Sequence, residues 1–308
     1  MPAETAPSAA GSVVARDWSV AALATVVVLW ASAFVGIRAV ADAFEPGPMS
    51  LGRLLAGTVA LTVIARPWRH RLPRGRTLVL TLVFGVVWFG AYNVALNAGE
   101  TYLDAGTAAL VVNIGPILIA LLAGIVLREG FPRPLVIGMA VAFAGVVLIA
   151  TSTRDSSSVE TASATGVLLC VAAAIFYAVG ALTQKPTLSV VAPAMSVWMG
   201  CTIGAVVCLP YTPALVDQLG DATAGEVGWL VYLGVFPTAI GFAAWSYALQ
   251  RLTAGQVAST TYLVPAVATL ISWALLGEVP APLAFVGGAF CLAGVAVTRW
   301  RPRRAGRA

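Results

Sequence analysis

The sequence predicts an all-α integral membrane protein with ten transmembrane helices, arranged as two inverted-topology five-helix repeats. Three observations predict it: a composition too apolar for a water-facing surface, ten apolar runs of spanning length, and a self-match at a constant offset of 149 residues. Of 308 residues, 59% are apolar and 10% are charged, and the mean hydropathy is +0.91. Soluble domains carry about 25% charged residues. A chain with so little charge can have a core only if its outside also meets an apolar medium. That excludes a soluble enzyme, a nucleic-acid-binding domain and a disordered chain.

A helix rising about 1.5 Å per residue needs about 20 apolar residues to cross a ~30 Å hydrocarbon layer. Such runs fall near 18–40, 48–66, 77–98, 102–127 and 134–151, and again near 164–184, 192–211, 226–249, 254–276 and 282–299. They leave no room for a second, soluble domain. Residues 1–17 read as a disordered cytoplasmic tail, polar and without the basic stretch of a cleaved signal peptide. Residues 18–151 hold the first five spans, 152–163 an extracellular Ser/Thr-rich linker, 164–299 the second five spans and 300–308 a basic cytoplasmic tail.

Basic residues accumulate on the cytoplasmic side of a membrane protein. With the N-terminus inside, fifteen of the eighteen Lys and Arg residues fall in inner segments, among them Arg66, Arg69, Arg71, Arg74, Arg76, Arg128, Arg133, Lys185 and Arg251. Both termini are therefore expected in the cytoplasm, in a plasma membrane. The arginines act as topology determinants that can rest on anionic lipid headgroups, so lipids are expected partners and nucleic acid is not. Cys170, Cys201, Cys208 and Cys291 all fall inside spans, where they behave as small apolar residues.

The self-match carries the architecture. Leu103, Ala105, Gly106 and Ala109 recur as Leu252, Ala254, Gly255 and Ala258, Pro116 as Pro265, and Glu129 as Glu278. Gly138, Ala144, Gly145 and Val146 recur as Gly287, Ala293, Gly294 and Val295. The offset lays span four on span nine and span five on span ten. Five is odd, so the second half enters the membrane from the opposite side, as in secondary transporters built from inverted repeats. A duplicated bundle without transport, such as an assembly factor, is the alternative.

Several residues carry a family likeness: Trp30-Ala-Ser-Ala-Phe34 in span one, Arg53 in span two, and the blocks Pro116–Glu129 and Pro265–Glu278, each followed by a Gly-rich span. On these the chain resembles the EamA family of ten-span permeases, within the drug/metabolite transporter superfamily. The resemblance implies a basket-like ten-helix bundle and export of amino acids or other small metabolites.

Proline removes the helix bond to the carbonyl four residues earlier, so Pro116 frees the carbonyl of Val112 and Pro265 that of Thr261. Both lie near mid-span, where an unpaired acceptor must meet protein, water or ligand. Paired interruptions of this kind point to a binding site. The alternative is that they only kink their helices while nearby hydroxyls or amides satisfy the backbone. Beside them stand Asn113 and, at the same offset, Tyr262; Trp30, Tyr92, Asn93, Asn97, Tyr177, Trp245 and Tyr247 complete the candidate cavity. An asparagine in a span turns inward, toward either substrate or a neighbouring helix. Trp18 and Trp300 read as interface anchors, and Trp88 joins Trp30 and Trp245 as a cavity wall.

Arg53 is the formally charged residue clearly inside a span, about five residues or ~8 Å from its outer end. Snorkelling, pairing with Glu45 or Asp42, and holding a substrate carboxylate are its three readings. Glu100, at the outer mouth, is the other candidate charge. Every Asp and Glu lies in a tail, a loop or at a span edge, so proton coupling would need an edge group such as Glu100, and facilitated diffusion is equally allowed. Glu129 and Glu278 each precede a new helix whose N-terminal end an acidic group stabilises; a gating contact is the alternative.

The sole histidine, His70, lies among arginines, and the sequence has no HExxH, paired intramembrane aspartates, Ser/His arrangement or P-loop. No metal, cofactor or direct use of ATP is expected. The reading is a secondary transporter, an exporter of small metabolites such as amino acids working by alternating access. Its alternatives are a non-transporting scaffold and, more remotely, an integral-membrane enzyme. The oligomeric state is not legible.

Overall fold

The computed structural model describes residues 17–102, 111–152, 164–276 and 282–298. Every regular element among them is helical. The first half holds α1 (Ser19–Val40), α2 (Pro46–Ala65), α3 (Gly75–Phe84), α4 (Tyr92–Glu100), α5 (Gly115–Val126) and α6 (Arg133–Ser152). The second holds α7 (Ala164–Thr187), α8 (Pro193–Cys208), α9 (Thr212–Asp221), α10 (Ala224–Leu233), α11 (Phe242–Arg251), α12 (Ala254–Thr260), α13 (Leu263–Leu276) and α14 (Pro282–Thr298). Among the described residues six segments are long and apolar enough to cross a membrane: Pro46–Ala65, Gly75–Gly99, Ala164–Thr187, Pro193–Asp221, Ala224–Arg251 and Ala254–Ile271. Shorter apolar stretches, Ser19–Ala33, Gly115–Val126, Arg133–Ile149 and Phe285–Thr298, lie where the sequence expects the remaining spans. The tail up to residue 16, the segments 103–110, 153–163 and 277–281 (with Glu278), and 299–308 lie outside the described residues.

The two halves share a feature that the sequence reading did not anticipate. In the third span of each, the α-helix widens into a π segment, Gly85–Ala91 between α3 and α4 and Gly234–Gly241 between α10 and α11. Their starts are 149 residues apart, the offset of the sequence match. In the second, Pro237 has no N–H to give the carbonyl of Leu233 four residues back. The Thr238 hydroxyl donates to that carbonyl instead, at 2.8 Å. In the first, Asn93 Nδ2 donates to the carbonyl of Phe89 at 2.8 Å. Gly234 lets the second π segment cross α2 closely, since a methyl there would stand 2.5 Å from the Arg53 carbonyl oxygen.

The proline interruptions take a different form from the one expected. The chain turns at Asn113–Ile114 and at Thr261–Tyr262, and Pro116 and Pro265 fall in the first turns of α5 and α13, where a helix needs no N–H. The Thr261 carbonyl is not free: it accepts the Val264 N–H at 3.0 Å in a tight turn. The backbone closes on itself there.

Equivalent helices pack against each other at α6 and α14. A methyl at Gly138 would stand 2.5 Å from the carbonyl oxygen of Gly294, and one at Gly145 2.5 Å from that of Gly287. Residue order reverses across the contact, so the two helices run antiparallel. Each glycine meets the 149-residue equivalent of the other, as an inverted duplication requires. Hydrogen bonds repeat the pattern at the two ends of the bundle. Asn97 Nδ2 donates to Ser50 Oγ at 2.9 Å and to the Pro46 carbonyl at 3.2 Å. At the opposite end Gln184 Nε2 donates to Ser246 Oγ at 2.7 Å and to Ser196 Oγ at 3.3 Å. Asn97 and Ser246 are also 149 residues apart.

The seventh span, expected to end at 211, continues past a turn at Leu209–Tyr211 into α9. This helix buries Leu215 and leaves Val216 and Leu219 exposed. Gln218 accepts the Glu45 N–H at 3.1 Å, bracing the start of α2.

Valine at Gly145 or Gly294 should destabilise the protein by about 1–3 kcal/mol through overpacking, read as a lower melting temperature in detergent. Alanine at Gly220, where an added methyl meets nothing within 4 Å, should leave it unchanged.

Candidate substrate cavity

A cavity of about 130 Å³ opens between the two halves. Its wall takes Trp30, Ala33 and Ile37 from α1, Arg53 from α2, and Trp88, Tyr92, Asn93 and Leu96 from the third span. Val112 and Asn113 stand at the break before α5, Tyr177 on α7, Pro237 and Phe242 at the second π segment, and Thr261, Val264 and Pro265 at the break before α13. Both helix breaks and both π segments thus face one space. Irregular backbone at depth is tolerated where it lines a cavity, and these four irregularities meet there.

The aromatic walls are held by close contacts. Trp30 packs on Phe242 at 5.1 Å between ring centroids, and Trp88 on Tyr177 at 5.1 Å and on Phe242 at 5.2 Å. Trp88 reaches this position because α7 carries Gly180 against it, where a methyl would stand 2.6 Å from its Cβ. Two polar atoms in this wall are buried without a hydrogen bond of ordinary geometry: the Trp30 indole Nε1 and the Tyr177 hydroxyl, the latter beside Thr261.

Arg53 is buried, at 8% exposure. Its Nε and Nη2 donate to Thr238 Oγ1 at 3.2 and 3.1 Å, so the guanidinium is positioned across the bundle rather than snorkelled outward. The proline-freed carbonyl of Leu233, the Thr238 hydroxyl and Arg53 form one chain of bonds.

Of the residues expected at the site, Trp30, Arg53, Tyr92, Asn93, Val112, Asn113, Tyr177, Thr261 and Pro265 line this cavity. The others are placed elsewhere. Trp245 is fully buried one layer behind, stacked on Trp30 at 5.3 Å. Tyr262 packs with Phe143 in the α6–α14 cluster. Tyr247 carries the Arg251 guanidinium over its ring at 3.6 Å. Asn97 is spent on Ser50 and Pro46, Pro116 is buried in the first turn of α5, and the Glu100 side chain lies outside the described residues. The sequence reading missed Ala33, Ile37, Leu96, Pro237, Phe242 and Val264. Pro237 carried a signal, being a third mid-span proline; the apolar five look like any lipid-facing or core position.

The lining of α1, α2 and α4 lies toward the end of the bundle that carries Pro46 and Glu100. At the opposite, arginine-rich end Glu129 makes a contact between the halves, and Lys185 ties two helices of the second half together. Both Glu129 carboxylate oxygens accept the Ala254 N–H, at 3.0 and 2.9 Å. Lys185 Nζ donates to the carbonyls of Leu249 and Leu252 at the end of α11. Glu129 therefore serves a helix N-terminus, but that of α12 in the other half, not the helix that follows it in the chain.

A sequence profile of the EamA-like transporter family matches residues 17–151 and again 164–300. The chain belongs to the EamA-like transporter family. It is a multi-pass membrane transporter. A relative from Streptantibioticus cattleyicolor, named a probable terminal-alkyne amino-acid exporter, is 39% identical over 89% of this chain and 91% of its own. One from Salmonella typhimurium, named a probable amino-acid metabolite efflux pump, is 26% identical over 92% and 95%. An uncharacterized transporter of Bacillus subtilis is 32% identical over 88% and 87%. A crystal structure superposes with a TM-score of 0.77 over 92% of this chain and 97% of that one, at 19% identity, and shares the fold.

Asn113→Ala should weaken substrate about tenfold, or about 1.4 kcal/mol, read as a raised KM. Tyr247→Ala and Tyr262→Phe should leave KM within about twofold, and Asn97→Ala should lower the melting temperature without moving KM.

Proposed function

We propose that the protein is a secondary exporter of small amino-acid-type metabolites in the plasma membrane, working by alternating access. All ten apolar helices cross the bilayer in this reading, with residues 18–151 and 164–299 as inverted repeats, 152–163 as the extracellular linker and both tails cytoplasmic. The observation that carries it is the cavity on which the π segments and helix breaks of the two halves converge. Its volume of about 130 Å³ is below the ~300–1,000 Å³ of drug-sized sites, which suits a metabolite. The names of the Streptantibioticus and Salmonella relatives support amino-acid-type cargo and outward transport.

Rocking the halves about the α6–α14 crossing would expose the cavity to either side in turn. The contact of Glu129 with the Ala254 N–H joins the halves at the arginine-rich, cytoplasmic end, so the conformation is outward-facing in this reading. Export requires that it break.

Counterflow in proteoliposomes, over a panel of labelled amino acids, tests the reading without an imposed ion gradient. Accumulation of one compound above empty vesicles, reduced by Asn113→Ala, is the expected outcome. A blank panel with folded protein would turn the reading toward the scaffold alternative. Glu129→Ala should change the counterflow rate about tenfold while leaving substrate affinity within about twofold, since it touches the closure and not the cavity.

A further inference from the structure

We infer that Trp245 is the gate on the arginine-rich side of the cavity: its indole seals the floor in this conformation, and on opening toward the cytoplasm it leaves the ring layer and gives its N–H to the side-chain carbonyl of Gln184. The inference rests on the cavity being the transport site, and it adds the residue pair that opens and closes one mouth of it.

Trp245 stands where a seal must stand. Phe242, three residues before it on α11, lines the cavity, and α11 runs on from there to Arg251 at the arginine-rich end. Trp245 itself is fully buried and is not among the lining residues. Its ring meets three that are: Trp30 of α1 at 5.3 Å between centroids, Trp88 of the third span at 5.6 Å and Tyr177 of α7 at 5.9 Å. Two of those partners belong to the first half and one to the second, so a single side chain spans the joint between the halves just behind the cavity. Rings packed this closely leave no path for a solute between them.

Packing holds the indole there with its hydrogen bond unmade. Trp245 Nε1 is a buried donor without a partner, and an indole nitrogen cannot accept. Gln184, also fully buried, presents the complement. Its Nε2 donates to Ser246 Oγ at 2.7 Å and to Ser196 Oγ at 3.3 Å. The Ser246 hydroxyl gives its own proton to the Phe242 carbonyl at 2.7 Å, so it accepts from Gln184 and the amide cannot turn end for end. Gln184 Oε1 is thereby fixed as an acceptor, and it too is buried without a partner. The two unmade halves of a bond are neighbours: Ser246, to which Gln184 is tied, directly follows Trp245 in the chain. An unpaired buried polar group destabilises the state that contains it. A donor and an acceptor left apart in the sealed floor are both satisfied when the indole swings from the ring layer to Gln184.

The test is labelling of Leu96→Cys by a membrane-impermeant methanethiosulfonate in right-side-out and in inside-out vesicles. Leu96 lines the cavity, and the four native cysteines are buried, so the parent chain gives the blank. Trp245 is then exchanged for 3-benzothienylalanine, which keeps the ring shape and lacks the N–H. Removing a donor that is paired only in the open state should slow labelling from the cytoplasmic face about fivefold and leave labelling from the outer face at least as fast. Gln184→Leu should slow it likewise, and the two changes together no further than either alone. Trp245→Ala, which removes the seal, should speed cytoplasmic labelling by a similar factor; if that variant fails to fold, the shape-conserving isostere decides. An isostere that leaves the ratio of the two labelling rates unchanged, as a merely structural tryptophan would, or one whose effect adds to that of Gln184→Leu, overturns the inference and leaves the cavity standing as the transport site. If Leu96→Cys is labelled from neither face while counterflow continues, the cavity is off the route and both readings fall.

Discussion

The constraint on which the molecule depends is that a backbone carbonyl facing no water must find its donor within the protein. In a continuous α-helix the requirement satisfies itself. Proline breaks it, and this chain has prolines at Pro116, Pro237 and Pro265, each solved differently. At Pro265 the chain tightens so that Val264 reaches Thr261. At Pro116 a fresh helix begins at Gly115, and the proline needs no donor. At Pro237 the helix widens and the Thr238 hydroxyl takes over. The third solution also creates the cradle for Arg53, because the hydroxyl that donates to Leu233 keeps its lone pairs for a guanidinium. Cavity chemistry is built from the repair of backbone defects.

Much of the fold was legible because it is written in period and composition. Apolar runs found the six segments long and apolar enough to cross a membrane, missing the extension of one of them to Asp221, and the 149-residue match named the four glycines that meet at the α6–α14 crossing. What stayed hidden depends on hydrogen-bond register. Nothing in Gly85-Val-Val-Trp distinguishes a π segment from an α-helix, and the partners that the two π segments pack on, α8 and α2, lie far off in the chain. The helix α9 was hidden for another reason: a short amphipathic stretch after a proline reads as loop until α2 gives it something to brace.

For the cavity, residue type was a good guide and side-chain direction was not. Asn93 and Asn97 are one turn apart on the same span, yet one faces the cavity and the other ties α4 to α2. Trp30 and Trp245 stack, so only one can be the wall and the other stands behind it. Asn113 and Tyr262 share the offset but not the surroundings, because the break falls at 113–114 in one half and at 261–262 in the other. That one-residue slip turns Tyr262 away and presents Thr261 instead.

The crossing of α6 and α14 has a consequence for how the two halves of the gene age. Each glycine there presses on a carbonyl that belongs to the counterpart of its neighbour, so a change in one copy meets the same steric filter as the matching change in the other. Elsewhere the copies have diverged until a threonine stands where its twin has phenylalanine, as at Thr238 and Phe89. At the crossing they are bound to stay alike. The clearest physical trace of the duplication thus sits on four glycines that fill no part of the cavity wall.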